Sequence, residues 1–339
     1  MIVIGADTRI GVRAVASTLS GAIEAVLWGR GLADPERVWA MEDCRHVAGR
    51  LERLLVARGE RVVRVAPRLM AGSRRSARDR GKSDPIDALA VARAVVGEGV
   101  ERLPVAELAG PELDLRLLLD HRDDLVRARG ADQQRLRWHL HDLFDDLEIP
   151  AGGLDRQVWL DRIARRLSRG EQTVRVPVSR QLVTQIRSQT RQIRELEREI
   201  SLLVEELCPQ LVAEAGCGPL TAAKLVAELA GAKRFATDAK LARAAGVAPF
   251  PASSGHRTRH RLDRGGNRQL NLALHRLAVN RARRDPATAA YLTRKQAEGM
   301  NRMEALRCLK RHLARRVWHL LTDPTHDQAR APKHALALT

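Results

Sequence analysis

The chain has 339 residues, enough for two domains with cores of their own, and its 59 lysines and arginines outnumber 41 aspartates and glutamates for a formal net charge of +18. That balance points to a polyanionic partner, nucleic acid first, while 3 % aromatic content excludes base stacking as the main contact and leaves the phosphate backbone. Cys44, Cys208, Cys217 and Cys308 form no C-x-x-C pair, no apolar run is long enough to span a membrane, and Met1–Asp7 lacks a basic leader. Neither a zinc knuckle nor a disulfide framework is therefore predicted, and a cytoplasmic protein is expected.

Ile2–Ile4 is a short β-branched run that stops at Gly5 and Asp7, which predicts a buried strand delivering a carboxylate at its end. Val38–Met41 predicts a second strand ending at Glu42. Val47–Ala57 predicts a helix carrying Val47, Leu51, Leu54 and Leu55 and closed by Gly59, and Arg61–Val65 a further strand closed by Pro67. This alternation is that of an α/β domain, expected over residues 1–109. Within it, Lys82-Ser83-Asp84-Pro85-Ile86-Asp87-Ala88 predicts a helix start, with Asp84 as cap, Pro85 in the first turn and Asp87 on the face of Asp84. Taken alone, a cap and an acid opposing the helix dipole account for the pair. If the strands ending at Asp7 and Glu42 are neighbours, however, four carboxylates meet at one sheet edge. Such an oxygen-lined set suits two Mg²⁺ ions roughly 4 Å apart in phosphodiester chemistry.

Residues 110–209 read as a basic helical region. Its first segment, from about Pro111 to Leu147, places Leu113, Leu117, Leu118, His121 and Leu125 on one side and arginines elsewhere. After Pro177, Ile186, Ile193, Leu196, Ile200, Leu203 and Leu207 follow in steps of 7, 3, 4, 3 and 4, a coiled-coil seam. A long helix lying on its own domain's core accounts for it as well. The charged flanks Arg191, Arg194, Glu195, Glu197, Arg198 and Glu199 favour a two-helix contact, and so a homo-oligomer. Pro209 ends this helix. A mainly helical domain is expected over 210–322 and a disordered tail over 323–339.

In the C-terminal domain, Gly216-x-Gly218-x-x-Thr221 resembles a helix-hairpin-helix turn, in which glycines let backbone N–H groups approach a phosphate; an ordinary connecting loop explains it equally well. A polar loop then runs from Ala244-Ala245-Gly246-Val247-Ala248-Pro249 through Ser253-Ser254-Gly255-His256-Arg257 to Arg264-Gly265-Gly266-Asn267-Arg268.

Gly5-Ala6-Asp7, Trp39-Ala40-Met41-Glu42-Asp43-Cys44-Arg45-His46 and Gly81-Lys82-Ser83-Asp84-Pro85-Ile86-Asp87-Ala88 resemble the three acid-bearing blocks of the DEDD insertion-sequence transposases, and the polar loop resembles that family's C-terminal signature. The resemblance runs from Met1 to about Leu321. It implies a RuvC/RNase H-like N-terminal domain with a Mg²⁺-binding tetrad at Asp7, Glu42, Asp84 and Asp87, central coiled-coil helices, and a serine nucleophile at Ser254, with Ser253 the runner-up. It further implies double-stranded DNA as substrate, a structured guide RNA held partly by the Arg122–Arg137 region, and a dimer or tetramer in which one subunit's serine meets another's carboxylates. The expected nucleic-acid contacts are Lys82, Gly216, Gly218, Thr221, Arg257, Arg259, Arg261, Arg264, Asn267 and Arg268. Two departures stand out: Thr8-Arg9-Ile10 replaces the family's usual His-Lys pair, and the interval from Asp7 to Glu42 is short. Two other readings stay open: a RuvC-like metal-dependent nuclease or resolvase in which Ser254 is structural, and a degenerate copy that binds without cutting, which the short interval supports.

Overall fold

The computed structural model describes residues 2–5, 8–12, 18–31, 37–43, 49–75, 83–106, 110–170, 173–229, 232, 235–251, 260–261 and 266–322. Asp7, Lys82, Ser253, Ser254, Arg257, Arg259, Arg264 and the 323–339 tail lie outside them. No described helix is long and apolar enough to cross a membrane.

The N-terminal part begins with an antiparallel pair, β1 (Ile2–Gly5) and β2 (Thr8–Val12), in register Ile2 to Val12 and Gly5 to Thr8 with a bulge between Val3 and Ile4. Next come α1 (Leu19–Arg30), β3 (Trp39–Glu42), α2 (Arg50–Ala57) and β4 (Val62–Val65). β3 and β4 pair in parallel, Trp39 opposite Val62 and Glu42 opposite Val65, with α2 as the crossover. Every residue of β4 is buried, as a central strand demands, and Pro104–Ala106 runs along its other edge through Arg64 N–H to Pro104 O and Ala106 N–H to Val62 O. Arg64 is buried because Glu52 of α2 accepts from its Nε at 3.0 Å. Pro67, expected to close a strand, also opens α3 (Pro67–Arg75), its fixed φ suiting a first turn. α4 (Asp84–Glu98) then packs against β1, β3 and β4. The expected adjacency of the strands ending at Asp7 and Glu42 is not found among the described residues: β1 pairs with β2, β3 with β4, and α4 is what touches both pairs.

The remainder is helical apart from one short strand pair. α5 (Pro111–Leu143), α6 (Gln157–Arg169) and α7 (Arg175–Leu207) form a hairpin with a small helix against its far end. α5 and α7 are antiparallel: Arg122 meets Glu197, Asp132 meets Gln189, His139 meets Ser179 and Asp142 meets Arg175. α8 (Pro209–Val212), α9 (Pro219–Leu229), α10 (Asp238–Ala244), β5 (Phe250–Pro251), β6 (His260–Arg261), α11 (Arg268–Arg284), α12 (Pro286–Ala297) and α13 (Arg302–Thr322) complete the chain.

Two expectations for the hairpin change here. Part of the periodic seam of α7 is covered by its own chain: Ile186, Ile193 and Ile200 are buried and α7 packs on α5, while Leu196, Leu203 and Leu207 are half-buried. On α5 the buried side is Leu115, Leu119, Leu136 and Leu140, while Leu117 is exposed. Leucines at 113, 115, 117, 118 and 119 leave the periodicity of that turn ambiguous, and packing on α9 decides it. The cores also cut across the expected divisions. Leu115 and Leu119 of α5 and Ile200 and Val204 of α7 belong to the large core built on α9, α11 and α13, whereas Leu136, Leu140, Ile163, Leu167, Val183 and Ile186 form a second core at the far end.

Candidate functional site

At the N-terminal site, Ser83 rather than Asp84 caps α4, its Oγ accepting from Ile86 N–H at 3.5 Å, and Asp84 is the first helical residue. The smaller hydroxyl takes the cap and leaves the Asp84 carboxylate exposed. Asp87 stands one turn before Ala90 and Val91, on the stripe of α4 that is buried. Glu42 ends β3 with its side chain exposed, and the neighbouring Asp43 receives Arg116 of α5 at 3.7 Å. Three carboxylates thus sit on two elements in contact, α4 and β3. Their all-oxygen chemistry fits a hard divalent cation. Among the described residues, however, no three acidic, histidine or cysteine side chains converge closely enough to hold one.

In the C-terminal part, the signature loop is clamped at its base. Gly266 lies so close to Gly246 that a Cβ on it would come within 2.1 Å of the Gly246 nitrogen, so only glycine lets the two ends of the loop touch. Asn267 caps α11, its Oδ1 accepting from Gln269 and Leu270 N–H, while its Nδ2 donates to Glu228 at 3.0 Å. Asn271 Nδ2 donates to the carbonyls of Ala245 and Gly246, and its Oδ1 accepts from Lys310 Nζ at 2.8 Å. Above this base, β5 and β6 pair Phe250 with Arg261 and Pro251 with His260. Burial, then Arg307, lowers the Lys310 pKa, and burial, then Lys310, lowers that of His275 on the same helix as Asn271. Glu228 also meets Lys224 at 3.4 Å, and Lys224 lies 3.8 Å from Asp120 of α5. A chain of polar contacts therefore runs from the root of the hairpin to the foot of the loop.

These contacts change how two of the expected nucleic-acid residues are used. Both ends of the Asn267 amide are engaged inside the domain. Gly216, at φ +81°, is buried against α11, where a Cβ would stand 2.5 Å from the Arg281 nitrogen; its glycine serves helix packing. Gly218 is exposed with open space before it, Thr221 is half-buried on α9, and Arg268 is exposed at the first position of α11. Beside Gly216, burial opposes ionisation of Glu214, but Arg281 and Arg316 outweigh it and hold its pKa low. Glu228, Asn271 and Lys310 had no part in the sequence reading. The available signal was the pair Lys224 and Glu228, the only charges in the otherwise apolar run Leu220–Leu229.

A sequence model described as the IS116/IS110/IS902 family of transposases matches residues 210–293, and a DEDD-type IS110 transposase model matches residues 2–145. The chain is 33 % identical over 239 residues to the uncharacterized 43.6 kDa protein of insertion element IS110 from Streptomyces coelicolor, an alignment covering 64 % of this chain and 59 % of that relative's length. Against the 44.8 kDa protein of IS116 from Streptomyces clavuligerus it is 28 % identical over 84 % of this chain and 82 % of the relative. Against the 42 kDa protein of IS900 from Mycobacterium paratuberculosis it is 26 % identical over 91 % and 89 %.

Proposed function

This chain belongs to the DEDD-type insertion-sequence transposases, and from that premise we propose that it cuts and rejoins DNA strands with a serine nucleophile. What supports the reading is that the two family matches cover the described candidate carboxylates and the clamped loop. On this reading, residues 1–109 are a RuvC-like domain, 110–209 a helical region and 210–322 the serine-bearing transposase domain. The Ser254 oxygen bonds to phosphorus while the bridging DNA oxygen departs with a proton, so the new seryl-phosphate keeps the energy of the broken bond for rejoining. The loop's arginines and Arg268 neutralise the phosphate. With Asp7, the carboxylates of Glu42, Asp84 and Asp87 would hold a divalent metal, Mg²⁺ by their hardness, which when bound supplies charge stabilisation at phosphate oxygens. A structured RNA from the element guides the protein to its DNA. Two or more subunits associate, through surfaces that the α5–α7 contact leaves open.

The test is to incubate the protein with Mg²⁺, element-junction DNA and RNA transcribed from the element's flanks, and to resolve the products on a denaturing gel. A protein–DNA adduct that needs the RNA and is lost in Ser254→Ala is expected. Free cleaved ends would assign hydrolysis, and an adduct persisting in Ser254→Ala but lost in Ser253→Ala would move the nucleophile by one residue. The double variant Asp84→Asn/Asp87→Asn should abolish Mg²⁺-dependent cleavage; unaltered Mg²⁺ dependence would make the pair structural.

A further inference from the structure

The basic surface of the helical hairpin is unevenly used. On α5, Arg122, Arg127, Arg129 and Arg135 each stand against a carboxylate of the chain. On α7, Arg187, Arg191, Arg194 and Arg198 follow in steps of 4, 3 and 4. At 100° a residue this places all four within about 60° of the helix circumference, along roughly 16 Å of axis. The stripe is turned roughly 80° or more from the buried isoleucines Ile186, Ile193 and Ile200. Arg187 is held by Asp161 of α6 at 2.5 Å, whereas no described carboxylate lies within salt-bridge distance of Arg191, Arg194 or Arg198. Nor is the surface flat. With Thr190 and Gln157, in the first turn of α6, the four arginines line a cleft of about 230 Å³. Arg129 reaches Thr190 from behind, donating to its Oγ1 at 3.3 Å.

A row of exposed arginines can serve solubility alone. This one is concave and aligned, and three of its four arginines have no described carboxylate within salt-bridge distance, on a hairpin whose other long helix pairs most of its arginines. We infer that the cleft is a phosphate-backbone track for double-stranded DNA, an inference that rests on reading the chain as a DNA recombinase. Guanidinium forks match phosphate oxygens in pairs, and roughly 16 Å of duplex axis carries about five phosphates per strand. No aromatic side chain lines the cleft, so single strands have no stacking platform there. Contacts of this kind fix register and carry no sequence information. The surface replaces the Arg122–Arg137 region, whose charge is largely spent within the chain, as the hairpin's nucleic-acid face.

The experiment measures binding of the full chain to a mixed-sequence DNA duplex, and to an RNA duplex of the same length, across a salt series. In the triple variant Arg191→Ala/Arg194→Ala/Arg198→Ala the slope of log K against log salt should flatten by about 2 to 3, and affinity at physiological salt should fall about tenfold or more. The larger loss is expected on the DNA duplex; a larger loss on the RNA duplex overturns the assignment to DNA. Glu195→Ala, which removes a negative charge from the cleft lining, should tighten the same complex. A triple variant that keeps the wild-type slope overturns the track and leaves the recombinase reading in place. Failure of the wild type to bind either duplex overturns both. If the triple variant loses its cooperative unfolding transition, Glu195→Ala decides, and unchanged affinity overturns the track.

Discussion

Removing the Asn267 side chain tests whether the clamp beneath the signature loop is structural. In Asn267→Ala, α11 loses its N-cap, at a cost of about 1 kcal/mol, and Glu228 loses a charge-assisted hydrogen bond, which costs about 2 kcal/mol more because the carboxylate is only 5 % exposed. The expected loss is roughly 3 kcal/mol, read as a lower urea midpoint of the protein without nucleic acid. Asn267→Ser separates the two parts: a hydroxyl keeps the cap but falls short of Glu228, so about 1 kcal/mol should return. Asn267→Asp keeps the cap and sets a second carboxylate against Glu228. Its deficit should exceed that of Asn267→Ser, since two like charges then face each other at a buried position. The reasoning is refuted if Asn267→Ala unfolds like the wild type while the salt slope of DNA binding drops by about 1, for that is the signature of a lost phosphate contact.

Gly216→Ala should destabilise by about 3 kcal/mol, from a left-handed backbone and a methyl forced into Arg281, without changing the salt dependence of DNA binding; calorimetry with a binding series checks both. The Glu214 carboxyl has its pKa lowered in the folded state, so its ion pairs stabilise the protein above its ordinary value of 4.5 and are lost as pH falls through the folded-state value. The stability difference between wild type and Glu214→Gln should therefore be full at neutral pH and vanish in acid, and a constant difference would contradict the pairing. Burial pushes the Cys208 and Cys217 thiols up to about 12, so neither should react with iodoacetamide at pH 8 until the chain is unfolded, as peptide mass mapping can show.

The sequence alone conveyed element type better than partnership. The β-branched runs at Ile2–Ile4 and Val62–Val65, the start of α4 at Ser83–Pro85 and the breaks at Pro209 and Gly216–Pro219 all form where local chemistry puts them. What covers each face is a long-range property. The seam of Ile186, Ile193 and Ile200 has the same period whether its partner is another copy or α5, and only the return of the chain supplies the answer. The same holds for Gly216 and Asn267. A glycine facing a phosphate and a glycine facing a helix look identical in sequence, and an asparagine before a helix declares its cap but not the carboxylate behind it. Lys310 contributes to the loop base from α13, more than forty residues beyond the signature, where no local pattern marks it.

α5 and α7 are each 33 residues long, roughly 50 Å of helix, with one end set in the large core and the other carrying the smaller core. The hairpin has the length of a lever: a tilt of about 10° at its root would carry the far end some 8 Å sideways. It is also a ruler. Inserting one heptad into each helix at matched positions keeps the seam in register and moves the outer core roughly 10 Å outward, so whatever the tip grips would be met at a longer reach. Arg116 near the root pairs with Asp43 beside Glu42, and Lys224 joins the root to the foot of the signature loop, so the root of the hairpin touches both candidate regions.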